Sequence, residues 1–168
     1  GLNGSPLMIG DDVDRMSDER LALLRQQFPR LPEAAEPLDL FDAVEPDYPK
    51  TFRLRVRAGW DEWDLFAVFN FGAEPLRKTL PATGAVWDFW EERYAGVAKG
   101  SYDVIVPPRS AKLVRVAAER THPWVLSTDI HIRQGQAELT AVTWDEATLQ
   151  LRLNCNRPGN VLLRVPKA

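Results

Sequence analysis

Thr51-Phe52-Arg53-Leu54-Arg55-Val56-Arg57-Ala58, followed by Trp63-Asp64-Leu65-Phe66-Ala67-Val68-Phe69-Asn70-Phe71, is the stretch that decides the fold. In the first run Phe52, Leu54, Val56 and Ala58 alternate with Arg53, Arg55 and Arg57. A period of two sends the apolar side chains to one face and the arginines to the other, as in a half-buried strand. The second run is apolar at every position from Leu65 to Phe69. Both of its faces must therefore be covered, which makes it a central strand. Gly59-Trp60-Asp61 between the two runs is a turn signal. The arginine face could grip an acidic partner or an adjoining domain; pairing with Asp and Glu on the next strand is the simpler reading.

Downstream the same pattern repeats. Strands are expected near Leu76–Leu80, Ala85–Trp90, Tyr102–Val106, Ala111–Val116, Ala137–Trp144, Thr148–Leu153 and Val161–Val165. Turn signals separate them at Asn70 to Pro75, Thr83-Gly84, Lys99-Gly100, Asp145-Glu146 and Arg157-Pro158-Gly159-Asn160. Short strands at a spacing of about 8–12 residues mean an antiparallel β-sandwich or a barrel, with a Greek-key-like sandwich as the default. The fold class is mainly β.

Upstream the character differs. Gly4-Ser5-Pro6-Leu7-Met8-Ile9-Gly10-Asp11-Asp12 reads as a buried strand that ends in two aspartates. A helix follows from Ser17 to Phe28: Ser17 is a good N-cap, Asp18 and Glu19 suit the positive end of the dipole, and Pro29 ends it. Leu21, Leu24 and Phe28 line one face of that helix. A strand–loop–helix unit is built to sit beside parallel neighbours, yet no second unit of the kind follows. Three parts result. Residues 1–28 are a strand–helix remnant, and 29–50 form a Pro-rich linker pinned by Leu38, Leu40 and Phe41. Residues 51–168 form the β-sandwich.

The 168 residues carry a net charge of −3 and a pI near 5.5, which gives no footprint for nucleic acid or an anionic membrane surface. No apolar run approaches the ~18 residues of a membrane span. No signal peptide is visible, and the compartment stays open. Cys155 has no partner for an intramolecular disulfide and reads as a small buried hydrophobe. Nothing has zinc spacing, and no glycine-rich phosphate loop is present; no metal or other cofactor is expected.

Three sets of residues are weighed for chemistry. Asp11 and Asp12 are acids at the end of a strand, but adjacent strand residues point to opposite faces, so they cannot be a facing carboxyl pair by themselves. Capping of nearby amides is the plainer role. His122 and His131 lie nine residues apart with no third ligand, and structural roles suit them better. Six tryptophans are many for this length. Trp60, in its turn, and Trp124 are the candidates for stacking on a sugar, against the alternative that aromatics fill the core.

Several segments together resemble the α-galactosidase (melibiase) clan of glycoside hydrolases. Gly4 to Asp12, with Met16-Ser17-Asp18-Glu19-Arg20-Leu21-Ala22-Leu23-Leu24, resembles the last strand and helix of that family's catalytic barrel. Phe66-Ala67-Val68-Phe69-Asn70-Phe71 resembles a strand of its C-terminal β-domain, Trp87-Asp88-Phe89-Trp90 its Asp-Leu-Trp step, and Val106-Pro107-Pro108-Arg109-Ser110-Ala111 its Pro-His-Ser turn, with Arg109 in place of His. The resemblance implies a (β/α)₈ barrel whose nucleophile and acid/base aspartates lie on earlier strands. A barrel needs about 250 residues, so neither aspartate maps onto this chain and its catalytic set is empty. Asp11 and Asp12 would be rim residues at most. The resemblance also implies a partner, the missing catalytic barrel, and leaves self-association through an unpaired N-terminal strand open. Relatives continue after the helix with Ile-Asn-Gln-Asp, whereas this chain runs Arg30-Leu31-Pro32-Glu33-Ala34, so the sugar stays open. The alternatives are a carbohydrate-binding module using Trp60 and Trp124, and a structural or protein-contact domain.

Overall fold

Strands β2 (Thr51–Arg57) and β3 (Glu62–Asn70) pair antiparallel from Thr51↔Val68 to Arg57↔Glu62. They belong to a computed structural model that describes residues 1–42 and 48–166. The arginine face pairs with carboxylates on both neighbours. Arg53 meets Glu36 at 2.5 Å, while Arg55 and Arg57 meet Glu62 at 3.2 and 3.9 Å. These are exposed pairs, each contributing at most about 1 kcal/mol.

β3 is an inner strand, as its unbroken apolar run requires. It lies between β2 and β6 (Ser110–Ala117) in a six-stranded antiparallel sheet that also holds β1 (Glu36–Pro37), β4 (Leu76–Asp88) and β5 (Arg93–Val106). The order is β1-β2-β3-β6-β4-β5, so β6 returns between β3 and β4 and the sheet is no simple meander. Alternation along β3 feeds two cores. Trp63, Leu65 and Ala67 join Leu54, Val56, Trp87 and Leu113 on one face. Phe66 and Val68 join Val114 and Val116 on the other.

The second face is covered by the sheet's own hairpin. β4 and β5 pair from Leu76↔Val106 to Asp88↔Arg93, with one register shift between Val86 and Trp87, but β4 bonds β6 only at 85–88. The rest of the hairpin lays Leu80, Ala82, Ala98, Val104 and Val106 against Phe66 and Val68. The turns expected at Thr83-Gly84 and Lys99-Gly100 are therefore positions inside long strands. Gly84 (φ +127) does a different job: a Cβ there would lie 2.2 Å from the carbonyl oxygen of Ala117.

The first face is covered by β7 (Trp124–Thr128), paired with β10 (Val161–Arg164), and by Ile132. β7 lacks an expected counterpart, because its five residues are all buried and show no alternation. A hairpin of β8 (Leu139–Trp144) and β9 (Leu149–Leu153) completes the set. The described residues are thus mainly β with antiparallel sheets. Among them no helix is long and apolar enough to cross a membrane.

The N-terminal part departs from expectation in one respect. Helix α1 (Asp18–Arg25) forms with Ser17 as its cap, accepting from Arg20 N at 3.4 Å. It stops short of the cis Phe28–Pro29 bond. Leu21 and Leu24 are half-buried, but Phe28 is 40% exposed. Gly4 to Gly10 is not a strand. Among the described residues no strand pairs with it, and the Arg30 guanidinium donates to Ser5 O. Leu7, Met8 and Ile9 are exposed rather than buried. In the linker Leu38 packs on the core, whereas Leu40 and Phe41 are exposed. Cys155 is exposed, not buried.

Candidate functional site

The residues singled out in the sequence do not converge. Asp11 is exposed. Asp12 caps a 3₁₀ turn (Val13–Arg15), accepting from Asp14 N at 3.2 Å and pairing with Arg15 at 3.2 Å. Trp60 is half-buried; its indole N–H donates to Leu139 O at 3.0 Å and its ring lies 5.2 Å from Trp63. Trp124 is 2% exposed, so it offers no face to a sugar, and the stacking role expected of it is corrected. Trp90, two residues beyond the end of β4, is 41% exposed, more open to solvent than Trp60 or Trp124.

What the structure does bring together is a buried polar junction that sequence reasoning missed. The loop from Asp129 to Glu138, between β7 and β8, is packed inside although it is rich in polar residues. Arg133 is fully buried and reaches across to the N-terminal segment. It donates to Gly1 O (3.3 Å), Leu31 O (2.9 Å), Glu33 O (2.7 Å) and the Glu33 carboxylate (2.6 Å). Gln26, the C-cap of α1, donates to Asp129 O at 3.0 Å, and Ile132 N donates to Gln26 O at 2.9 Å. Arg157 closes the helix end: it donates to Arg25 O, to Phe28 O at 2.9 Å and to Ile130 O at 2.7 Å. A cation on these carbonyls meets both their unpaired acceptors and the negative end of the helix. A guanidinium with its planar fork suits several carbonyls at once, which a point-charge ammonium does not.

Two further groups seat the loop on the sheet. Arg115 on β6 is wholly buried, donates to Gln134 O at 2.5 Å and lies 4.0 Å from the Trp63 ring centre. Burial pulls its pKa down to about 9. Glu138 accepts from Thr128 Oγ1 and from Ala137 N at 3.2 Å, and burial pushes its carboxyl up. These groups hold the loop in place rather than face an open cavity of catalytic size.

His131 lies in the same junction. Its Nε2 lies 2.9 Å from Pro29 O, while Nδ1 accepts from Arg133 N at 3.1 Å. The neutral tautomer with hydrogen on Nε2 satisfies both contacts, and a second proton would displace the Arg133 amide. Burial holds its pKa down from 6.5 to about 4, with Arg133 and Arg157 adding in the same sense. The unfolded chain takes up that proton below 6.5, and the folded chain only near 4. The stability that the neutral ring confers is complete above 6.5 and is lost as pH falls toward about 4. His131→Gln is expected to flatten the melting temperature against pH in that window. Parallel curves for variant and parent would contradict this account.

Two clefts flank Trp90. One lies between α1 and the β-domain, has a volume of about 440 Å³ and is lined by Glu19, Gln26, Phe89, Trp90, Glu92 and Asp129. The other, of about 440 Å³, is an apolar groove with Phe52, Phe69 and Leu113. Phe71, 62% exposed, stacks on Phe69 with ring centres 6.0 Å apart, beyond Phe52. Among the described residues no group of three or more His, Cys, Asp or Glu is placed to hold a metal.

No protein-family model matches the sequence, and no curated protein matches it. Solved structures do. A Bacteroides fragilis protein assigned as an alpha-galactosidase/melibiase superposes with a TM-score of 0.50 at 21% identity over 67% of this chain. A second from the same organism, assigned as an alpha-galactosidase, gives 0.50 at 17% identity over 70%. The matches take in 25% and 26% of those chains, so this chain spans about a quarter of their length. The expected resemblance thus holds at the level of fold: over about two thirds of its length, the chain has the fold of a portion of these α-galactosidase/melibiase structures.

Proposed function

We propose that the chain is the C-terminal portion of an α-galactosidase-like glycoside hydrolase, and that it serves as a non-catalytic β-domain packing against the catalytic barrel. The observation that carries this reading is the junction. Arg133 and Arg157 grip the main chain of residues 25–33, so the β-domain is bonded to the helix that resembles the last helix of that barrel. Such a contact fixes where a barrel's final helix ends and orients whatever precedes it. The apolar groove beside Phe52 and Phe69 supports the reading too, since large aromatic surface of this kind suits a protein contact. On this reading Asp11 and Asp12, which are exposed or engaged in capping, are rim residues at most.

The test is an assay of the purified chain with aryl α-galactosides. No turnover above the blank is expected. Activity that stays with the chain through repeated purification, and is lost when the chain is removed by an affinity tag, would overturn the non-catalytic role.

A further inference from the structure

The turn from Asp88 to Arg93 is built more rigidly than a hairpin connection requires. Asp88, 2% exposed, accepts from Glu91 N at 3.1 Å and from Lys112 Nζ at 2.8 Å. The same ammonium also bonds the Glu91 carboxylate. Phe89 N donates to Leu113 O at 2.9 Å. On this base Trp90 stands 41% exposed, edge-on to Phe89 with ring centres 4.8 Å apart. Glu92 follows with φ 48, a left-handed conformation that costs a non-glycine residue about 1–2 kcal/mol.

Across the cleft stands α1. Glu19 and Gln26, two turns apart, face the same space as Trp90 and Glu92. Gln26 donates through Nε2 to Asp129 O, and its Oε1 is buried beneath the cleft wall, out of reach of a ligand. The cleft's volume falls within the roughly 300–1,000 Å³ that small-molecule sites occupy. It therefore combines a fixed aromatic plate with a carboxylate on each wall, Glu92 beside Trp90 and Glu19 on α1. Asp129 is already engaged by Asn160, through its main-chain amide at 2.7 Å and its side-chain amide at 2.6 Å, which leaves Glu19 and Glu92 as the carboxylates at the rim. An array of acceptors over an aromatic face matches a ring that has an apolar C–H face and hydroxyl donors at its edge.

We infer that the cleft between α1 and the Trp90 turn binds a neutral hexopyranose, stacked on Trp90 with its hydroxyls donating to Glu92 and Glu19. Neither Trp60 nor Trp124 takes part. The inference stands whether or not the chain belongs with a catalytic barrel, because every residue it uses lies in this chain.

The test is titration of the full chain with methyl glucoside, methyl galactoside and methyl mannoside, followed by tryptophan fluorescence and by protein-observed NMR. Saturable binding of at least one glycoside at millimolar concentration is expected. Trp90→Ala should weaken it about tenfold or more, and Glu92→Gln by a smaller factor. Trp60→Phe should leave it unchanged. Trp90→Phe keeps an aromatic plate and should retain part of the affinity, which covers the case in which the alanine variant misfolds. No saturable binding of any of the three glycosides, or equal binding by the Trp90 variants, overturns the inference. Displacement of the glycoside by putrescine would also overturn it, since it would mark an aromatic–acidic site for cations.

Discussion

Arg133→Met is expected to destabilise the chain by about 3 kcal/mol, a fall in melting temperature of roughly 6–12 °C for a domain of this size. Methionine fills much of the same space, so packing is largely kept. The loss is in the hydrogen bonds to Gly1, Leu31 and Glu33, whose carbonyls then face a thioether. Glu33, 47% exposed, keeps its solvation, which holds the cost below that of stranding a fully buried ion. The damage should be local. Amides of α1 and of residues 30–37 should exchange with solvent faster, while β3 and β6 keep their protection. A variant that melts with the parent and shows the same exchange across α1 would mean that Arg133 does not hold the two parts together.

Gly84→Val should be more severe, costing about 4 kcal/mol or more. Two effects add. At φ +127 any side chain is strained, and the new Cβ would sit 2.2 Å from Ala117 O and 2.9 Å from Ala117 C. Those are backbone atoms of β6, so relief requires moving β6 off β4 at the Ala85↔Ala117 pair. That shift opens the sheet between its two cores. Gly100→Val is the control: its φ is +99, but a Cβ there meets nothing within 4 Å. It should pay the conformational cost alone, about 1–2 kcal/mol. Equal denaturation midpoints for the two variants would show that the close approach at Gly84 is not what constrains the residue.

The contrast between these glycines also shows what sequence can and cannot tell. Alternation at Phe52 to Ala58 and the solid apolar run at Leu65 to Phe69 identify β2 and β3, because period and coverage follow from strand geometry alone. Gly84 and Gly100 look like turns because glycine has two uses, reversal of the chain and close approach of another backbone. Only the position of Ala117 separates them. The buried loop at 129–138 was illegible for a related reason. Arg133, Gln134 and Glu138 have the composition of a solvated loop, and their burial is tolerable only because Leu31, Glu33, Thr128 and Arg115 supply partners distant in sequence. The N-terminal run failed in the opposite direction. Leu7, Met8 and Ile9 look buried, but a strand needs a neighbour to bond, and the described residues offer none. At the candidate sugar site, the sequence presents Trp90 only as the end of Trp87-Asp88-Phe89-Trp90, with nothing to set it apart from the other tryptophans. Its exposure came from a turn that β4 reaches two residues earlier.

The account rests on the claim that this β-domain accompanies a barrel. The most direct measurement is the sequence of the transcript upstream of the codon for Gly1. The account predicts an open frame encoding further βα units, with the two catalytic aspartates on strands before the segment that begins here. A stop codon immediately upstream, or an unrelated domain joined in frame, would contradict it.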